Sequence, residues 1–207
     1  IAEPGKLNAL NRADGIATGA MRAYLDADVV CEPELFGQLA GVLAEPRPLY
    51  ATGTLAVAPA QSRFTRRYAA FWSRLPFVEG GAVGAGLFAV NAAGRARWGE
   101  FPAIISDDTF VRLNFCPGER VEVPARYHWP MVEGFSRLVR VRRRQDAGVR
   151  ELARLYPDLI PNEGKARLTK GRLLQLALAR PVDFAAYMAV HLAVRLKPAG
   201  AEWSRGR

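Results

Sequence analysis

Apolar positions recur along the chain with two different periods. Helical spacing runs from Lys6 to about Thr18, through Leu7, Leu10 and Ile16, with Gly15 as a weak point. It returns from Pro33 to about Ala44, where Pro33 suits a first helical turn and Glu32 and Glu34 lie near the positive end. A third helix, aromatic and amphipathic, is predicted over 62–76, and the segment 105–115 opens a fourth with two acids in its first turn. Strand character falls on Met21–Leu25, read as a short buried strand, and on 49–59. A glycine-rich loop runs into a strand over 80–91. Residues 119–129 alternate as an edge strand would, and Pro124 supports that edge position. Helices alternating with strands predict an α/β sheet. After residue 135 the pattern turns helical, which divides the chain into a core over 1–136 and a helical region over 137–207.

Charge sharpens that division. The chain has 207 residues and a net charge of +9, but residues 1–136 carry 13 basic and 14 acidic side chains while 137–207 carry 16 and 6. The excess positive charge therefore lies in the last third, as suits phosphate-bearing partners. On a helix through 136–156, Leu138, Val141, Gln145, Val149 and Leu152 share one stripe, and Arg140, Arg143, Arg150 and Arg154 lie opposite. Arg142 borders the apolar stripe and is the arginine expected to point inward. The segment 181–196 is apolar except for Asp183, His191 and Arg195, and is too short to span a bilayer, which takes about 20 residues. Cys31 and Cys116 form no disulfide framework. The opening at Ile1 gives no lead-in to a fold, so a chain cut from a longer one is expected.

The chemistry concentrates in acids. Asp26 and Asp28 follow the first apolar strand as D-x-D, a spacing that on extended backbone points both carboxylates the same way, so that one divalent cation meets both. Asp107 and Asp108 are adjacent at a helix start. Like-charge repulsion should raise one of their pKa values, while the helix amino end opposes the shift. The simpler readings are solvated loop acids for the first pair and a helix cap for the second.

Five segments occur in order: GKLNALN (5–11), LDADV (25–29), GAGLFAV (84–90), ISDDTF (105–110) and RVRRRQDAG (140–148). This order resembles the family 2 glycosyltransferases of the GT-A fold over roughly residues 5–155. The family's nucleotide-base-binding strand-helix-strand unit, which precedes the G-K segment, has no counterpart here. Where processive members carry Q-x-x-R-W, this chain reads Val141-Arg142-Arg143-Arg144-Gln145, a departure that favours transfer of a single sugar.

The resemblance implies a GT-A mixed sheet with a C-terminal helical extension. It also implies a metal-dependent transfer from a nucleotide-sugar donor to a hydroxyl acceptor, in cell-envelope, exopolysaccharide or glycolipid synthesis. In that scheme Asp26 and Asp28 hold the diphosphate through Mg²⁺ or Mn²⁺, with Asp28 the more direct ligand. Lys6 and Asn11 face the nucleotide side, and Gly86 lies in the acceptor loop. Asp108 is the general base with Asp107 beside it, and one of Arg142, Arg143 or Arg144 steadies the leaving nucleoside diphosphate. Competing expectations are a same-fold nucleotidyltransferase, or a basic module for membrane or nucleic acid without catalysis. Nucleic acid is disfavoured, because the basic helix lacks interleaved aromatics. A peripheral contact with the inner face of a membrane is expected instead, in which the Arg140/Arg143/Arg150/Arg154 face and the 181–196 helix act together on a lipid-linked acceptor, with Phe184 on the membrane side.

Overall fold

A computed structural model describes residues 5–196 of the chain. The strands are β1 (Met21–Leu25), β2 (Val30–Cys31), β3 (Tyr50–Val57), β4 (Leu87–Asn91) and β5 (Arg120–Trp129). They form one mixed sheet in the order β1-β4-β3-β5-β2, antiparallel throughout except for the β3–β5 pair. The helices are α1 (Lys6–Ile16), α2 (Leu35–Leu43), α3 (Arg63–Trp72), α4 (Ala92–Arg95), α5 (Asp107–Leu113), α6 (Phe135–Leu155), α7 (Lys170–Ala179) and α8 (Pro181–Leu196). The protein is α/β, with a five-stranded, strongly curled sheet and C-terminal helices.

The curl follows from one short connection. β1 and β2 stand at opposite ends of the strand order, yet only residues 26–29 join them. Val29 N–H donates to Asp26 O at 3.1 Å, a tight turn whose ends lie within about 7 Å. Five flat strands would hold their outer members about 19 Å apart. The sheet must bend until its two edges meet this turn.

Period-2 alternation sorts the core into two faces. Leu87 and Ala89 point with Ala51, Val123, Ala125 and Tyr127 toward α2, whose Leu35, Leu39 and Leu43 are buried at i, i+4 and i+8. Each such leucine contributes about 2 kcal/mol by burial. Phe88 and Val90 point the other way, with Tyr50, against Phe110, Val111 and Phe115 of the α5 region. β4 is therefore buried at all five positions. A third cluster joins Tyr68, Phe71 and Trp72 of α3 to Leu138 and Val139 of α6, Leu176 of α7 and Val190 of α8.

Two strand expectations need correction. β1 is not buried: it pairs with β4 alone among the described residues, Met21 is 37% exposed and Leu25 46%. The exposed edge with apolar surface beside Met21–Leu25 agrees with expectation; the interior placement does not. β5 is not an edge, since β3 and β2 flank it. Pro124 fits inside because it lies in a bulge: Gly53 pairs with Val123 and Thr54 with Arg126, so Pro124 and Ala125 are skipped. A bulge is the other place where a strand tolerates a missing N–H. The displaced Ala125 N–H donates to Gln38 Oε1 of α2 at 2.8 Å.

α6 serves two layers, and the predicted stripe is right at its ends only. Leu138, Val139, Gly148 and Leu152 are buried, whereas Val149 and Gln145 are exposed. Arg140, Arg150 and Arg154 are exposed as expected. Arg143 is instead half-buried and donates from Nη2 to Ala193 O of α8 at 2.7 Å. α8 packs on α3, with Phe184 against Phe71 (5.5 Å between ring centroids) and Tyr187 against Phe71 and Tyr68. Phe184 thus belongs to the interior and does not face outward. Among the described residues no helix is long and apolar enough to cross a membrane.

Candidate functional site

At the carboxyl end of β1 the chain opens a cavity of about 250 Å³. Lys6, Asp26, Gly86, Asp107 and Asp108 all line it, with Tyr24 and Phe88 among its apolar walls. These five site residues come from four separate parts of the sequence. α1 supplies Lys6, the 26–29 turn Asp26, the loop before β4 Gly86, and the first turn of α5 both adjacent acids.

The partner of Asp26 is within the chain. Lys6 Nζ lies 3.2 Å from Asp26 Oδ1 and 2.9 Å from Asp107 Oδ2. Lys6 and Asp26 are half-exposed, while the Asp107 side chain is 10% exposed. Asp107 Oδ2 has no aligned hydrogen-bond donor among the described residues, so its contact with Lys6 is one of charge. Burial pulls the Lys6 ammonium down, but the negative charges of Asp107 and Asp26 outweigh it, and its pKa lies above the ordinary lysine value. The Asp108 carboxyl is pushed up, first by burial and then by the charge of Asp107; the Thr109 N–H, 2.6 Å from Asp108 Oδ1, and the Lys6 charge oppose the rise.

Local structure explains why these groups meet. Gly86 has φ +79, and its carbonyl accepts from Asp26 N–H at 2.8 Å, which fixes the acidic turn to the glycine loop. A Cβ at Gly86 would stand 2.8 Å from Trp129 Cδ1 and 2.9 Å from Val29 Cγ2, so only glycine fits there. α5 is held from two sides. Ile105 N–H donates to Glu151 Oε2 of α6 at 2.8 Å, just ahead of the acids. At its far end the buried Arg112 pairs with Glu163 at 2.6 Å.

Gly148 brings α6 close to the acids, since a Cβ there would lie 2.2 Å from Ser106 Oγ. Gly148→Ala is therefore expected to displace Ser106 and the adjoining acids, lowering activity more than stability. The double substitution Gly148→Ala with Ser106→Gly should restore activity to near the wild-type rate. A steady-state assay of the four proteins checks this, and equal damage in single and double variants would refute it.

Four predicted site residues lie elsewhere. Asn11 does not face the cavity: its side chain donates to Phe101 O (3.2 Å) and accepts from Phe101 N–H (2.6 Å), stapling α1 to the loop before α5. α1 needs that staple because none of its residues is fully buried. Arg142 is half-buried but pairs with Asp146 at 3.1 Å, in a groove with Tyr68, Tyr187 and His191. Arg143 is bound to α8, and Arg144 is exposed. None of the three arginines lines the acidic cavity. Asp28 does not line it either, because residues 27 and 28 form a turn rather than the extended backbone assumed for D-x-D.

Sequence reasoning missed the network behind β1. Asp14, 7% exposed, takes Arg22 (3.2 Å), Arg95 (2.9 Å) and the Tyr24 hydroxyl (2.8 Å). The acid sits on the same face of α1 as Leu7 and Leu10, a placement that the helical spacing could have flagged.

Among the described residues no group of three or more His, Cys, Asp or Glu is arranged to hold a metal ion. The donor chemistry nevertheless suits a hard cation. Mg²⁺ is commonly held by one or two carboxylates, with substrate phosphates and water completing the shell. Asp26 is open to solvent, and Asp107 Oδ2 is a buried anionic oxygen satisfied only by a mobile cation, the Lys6 ammonium. No protein-family model matches this chain, and no curated protein is similar to it.

Proposed function

We propose that the chain is the catalytic part of a metal-dependent glycosyltransferase of the family 2, GT-A type, moving a sugar from a nucleotide-sugar to a hydroxyl acceptor. The observation that carries this reading is the single cavity shared by Lys6, Asp26, Gly86, Asp107 and Asp108, residues drawn from four motifs spread over the first half of the chain.

Asp26, with Asp28 two residues on in the same turn, would hold Mg²⁺ or Mn²⁺, and that cation would neutralise the donor's diphosphate. Lys6 supplies a second positive charge. Its ammonium bridges two acids in the closed cavity and is positioned to exchange one of them for a phosphate oxygen. Asp108 receives the proton of the acceptor hydroxyl: burial and the neighbouring Asp107 make its carboxylate a stronger base than an ordinary aspartate. Asp107, compensated by Lys6, keeps that base facing the cavity. Tyr24 and Phe88 stack at 4.8 Å and give the cavity a rigid apolar wall that limits water.

Calorimetric titration tests the donor half of this reading. UDP, GDP, dTDP, CDP and inorganic pyrophosphate are titrated with Mn²⁺ or with EDTA. At least one diphosphate should bind only with the metal, and Asp26→Asn should weaken it by about tenfold or more. Arg150→Ala, remote from the cavity, should leave binding unchanged. Absence of binding by all five probes with Mn²⁺ would overturn the assignment.

A further inference from the structure

A second charged depression lies on the far side of the third cluster. It measures about 460 Å³ and is lined by Arg63, Arg66, Arg67 and Ala70 of α3, with Arg180 and Asp183 at the α7–α8 corner. Arg63, Arg66 and Arg67 stand at i, i+3 and i+4, so one outward face of α3 carries all three. They crowd the amino end of that helix, whose first turn holds no acid, although the helix dipole disfavours cations there. Asp183, 3% exposed, is already committed to Arg67 (3.2 Å) and Arg180 (3.1 Å). No salt bridge joins Arg63 or Arg66 to an acid among the described residues. The nearby Glu133 accepts the Gln61 and Ser62 N–H groups instead.

Beside this depression runs an uncovered apolar stripe. α8 buries Asp183, Ala186 and Val190 toward α3. On another face Val182, Ala185, Ala189, Leu192 and Leu196 recur at i, i+3, i+7, i+10 and i+14, and all five are exposed. Val182 is 60% exposed and Leu196 81%; Leu178 of α7, just before the corner, is 75% exposed. A helix packed on one side and greasy on another has a second surface to cover.

We infer that the Arg63/Arg66/Arg67/Arg180 depression and the exposed stripe of α8 together form a docking face for a bilayer rich in anionic phospholipid. Arginine forks suit lipid phosphates, and the leucines beside them suit the acyl boundary. A second copy of the chain is a poorer occupant, because a two-fold contact over this stripe would bring two arginine clusters together. Nucleic acid offers nothing for the leucines. This face differs from the α6 arginine face expected from sequence, and it stands whether or not the acidic cavity takes a nucleotide.

Co-sedimentation of the full chain with vesicles tests the inference. Phosphatidylcholine vesicles are compared with vesicles containing phosphatidylglycerol, at low and high salt. Binding should require the anionic lipid and weaken with salt. Arg63→Glu with Arg66→Glu should lower the partition coefficient by at least about tenfold, as should Val182→Asp with Leu192→Glu. All four positions are exposed, so these variants should fold, which circular dichroism checks. Arg140→Glu, Arg150→Glu and Arg154→Glu together make a larger charge change on α6 and should cost less than either pair. Equal partition with neutral and anionic vesicles would overturn the inference, as would a greater loss in the α6 variant. A shift from dimer to monomer in Leu192→Glu, seen by sedimentation velocity, would assign the stripe to self-association and overturn it equally.

Discussion

Asp108→Asn is expected to cut sugar transfer by about 10²–10⁴-fold while making the protein more stable at neutral pH. Both effects have one cause. Burial, together with the charge of Asp107, raises the Asp108 pKa in the folded protein. Between the ordinary aspartate value of about 3.9 and that raised value, the folded state binds more protons than the unfolded one, so stability falls as pH rises. Asparagine carries no such charge, and its variant escapes the loss. Melting curves of the two proteins should therefore run together near pH 3.5 and separate as pH increases, with the variant above. Metal-dependent diphosphate binding should be retained, since Asp26 and Lys6 are untouched. A variant that melts below the wild type at pH 7, or that keeps its transfer rate, would remove Asp108 from the base role.

Gly84→Ala should be the most damaging single-methyl change near the site. Gly84 has φ +64, and a Cβ there would lie 1.7 Å from Tyr50 Oη. Tyr50 is wholly buried between Phe88 and Phe115 and cannot retreat. The backbone cost of a left-handed alanine is about 1 kcal/mol, and the clash adds about 1–3 kcal/mol. For a chain of this size the midpoint should drop by roughly 5–10 °C. The Tyr50 hydroxyl has no hydrogen-bond partner among the described residues, so Tyr50→Phe alone should be neutral or mildly stabilising. Combined with Gly84→Ala it should recover the clash but not the backbone part. Additive losses in the double variant would show that the hydroxyl is not what Gly84 avoids.

The fold was readable where periodicity and burial agree. The alternation over 80–91 and 49–59 marks the strands now seen as β4 and β3, and the i, i+4 leucines mark α2. It was less readable where one residue has two uses. Pro124 signals an edge or a bulge with equal force, and only the partner strand decides between them. Met21–Leu25 is apolar enough for an interior position but ends a sheet, because burial depends on neighbours remote in sequence. The cavity residues were legible as motifs, yet their pairing was not. Nothing local says that Lys6 reaches both Asp26 and Asp107. Asn11 looked like a ligand contact because an amide suits a base edge, and it suits the Phe101 backbone just as well. The arginines of α6 drew attention through number. Those of α3, fewer and set among aromatics, escaped it, although their i, i+3, i+4 spacing was visible throughout.

The turn over 26–29 also has a bearing on how the chain folds. It joins the two outer strands of a curled sheet, and each finds its hydrogen-bond partner far along the chain: Leu25 pairs with Leu87, and Cys31 with Tyr127. Those loop closures must be made before either outer strand is held, and distant pairings are slow to form. A nascent chain emerging from its amino end therefore carries Asp26 long before the turn can take its shape. The acidic cavity is assembled late, once β5 is in place, so that a partly folded chain has a provisional α2 core but no organised cluster of acids.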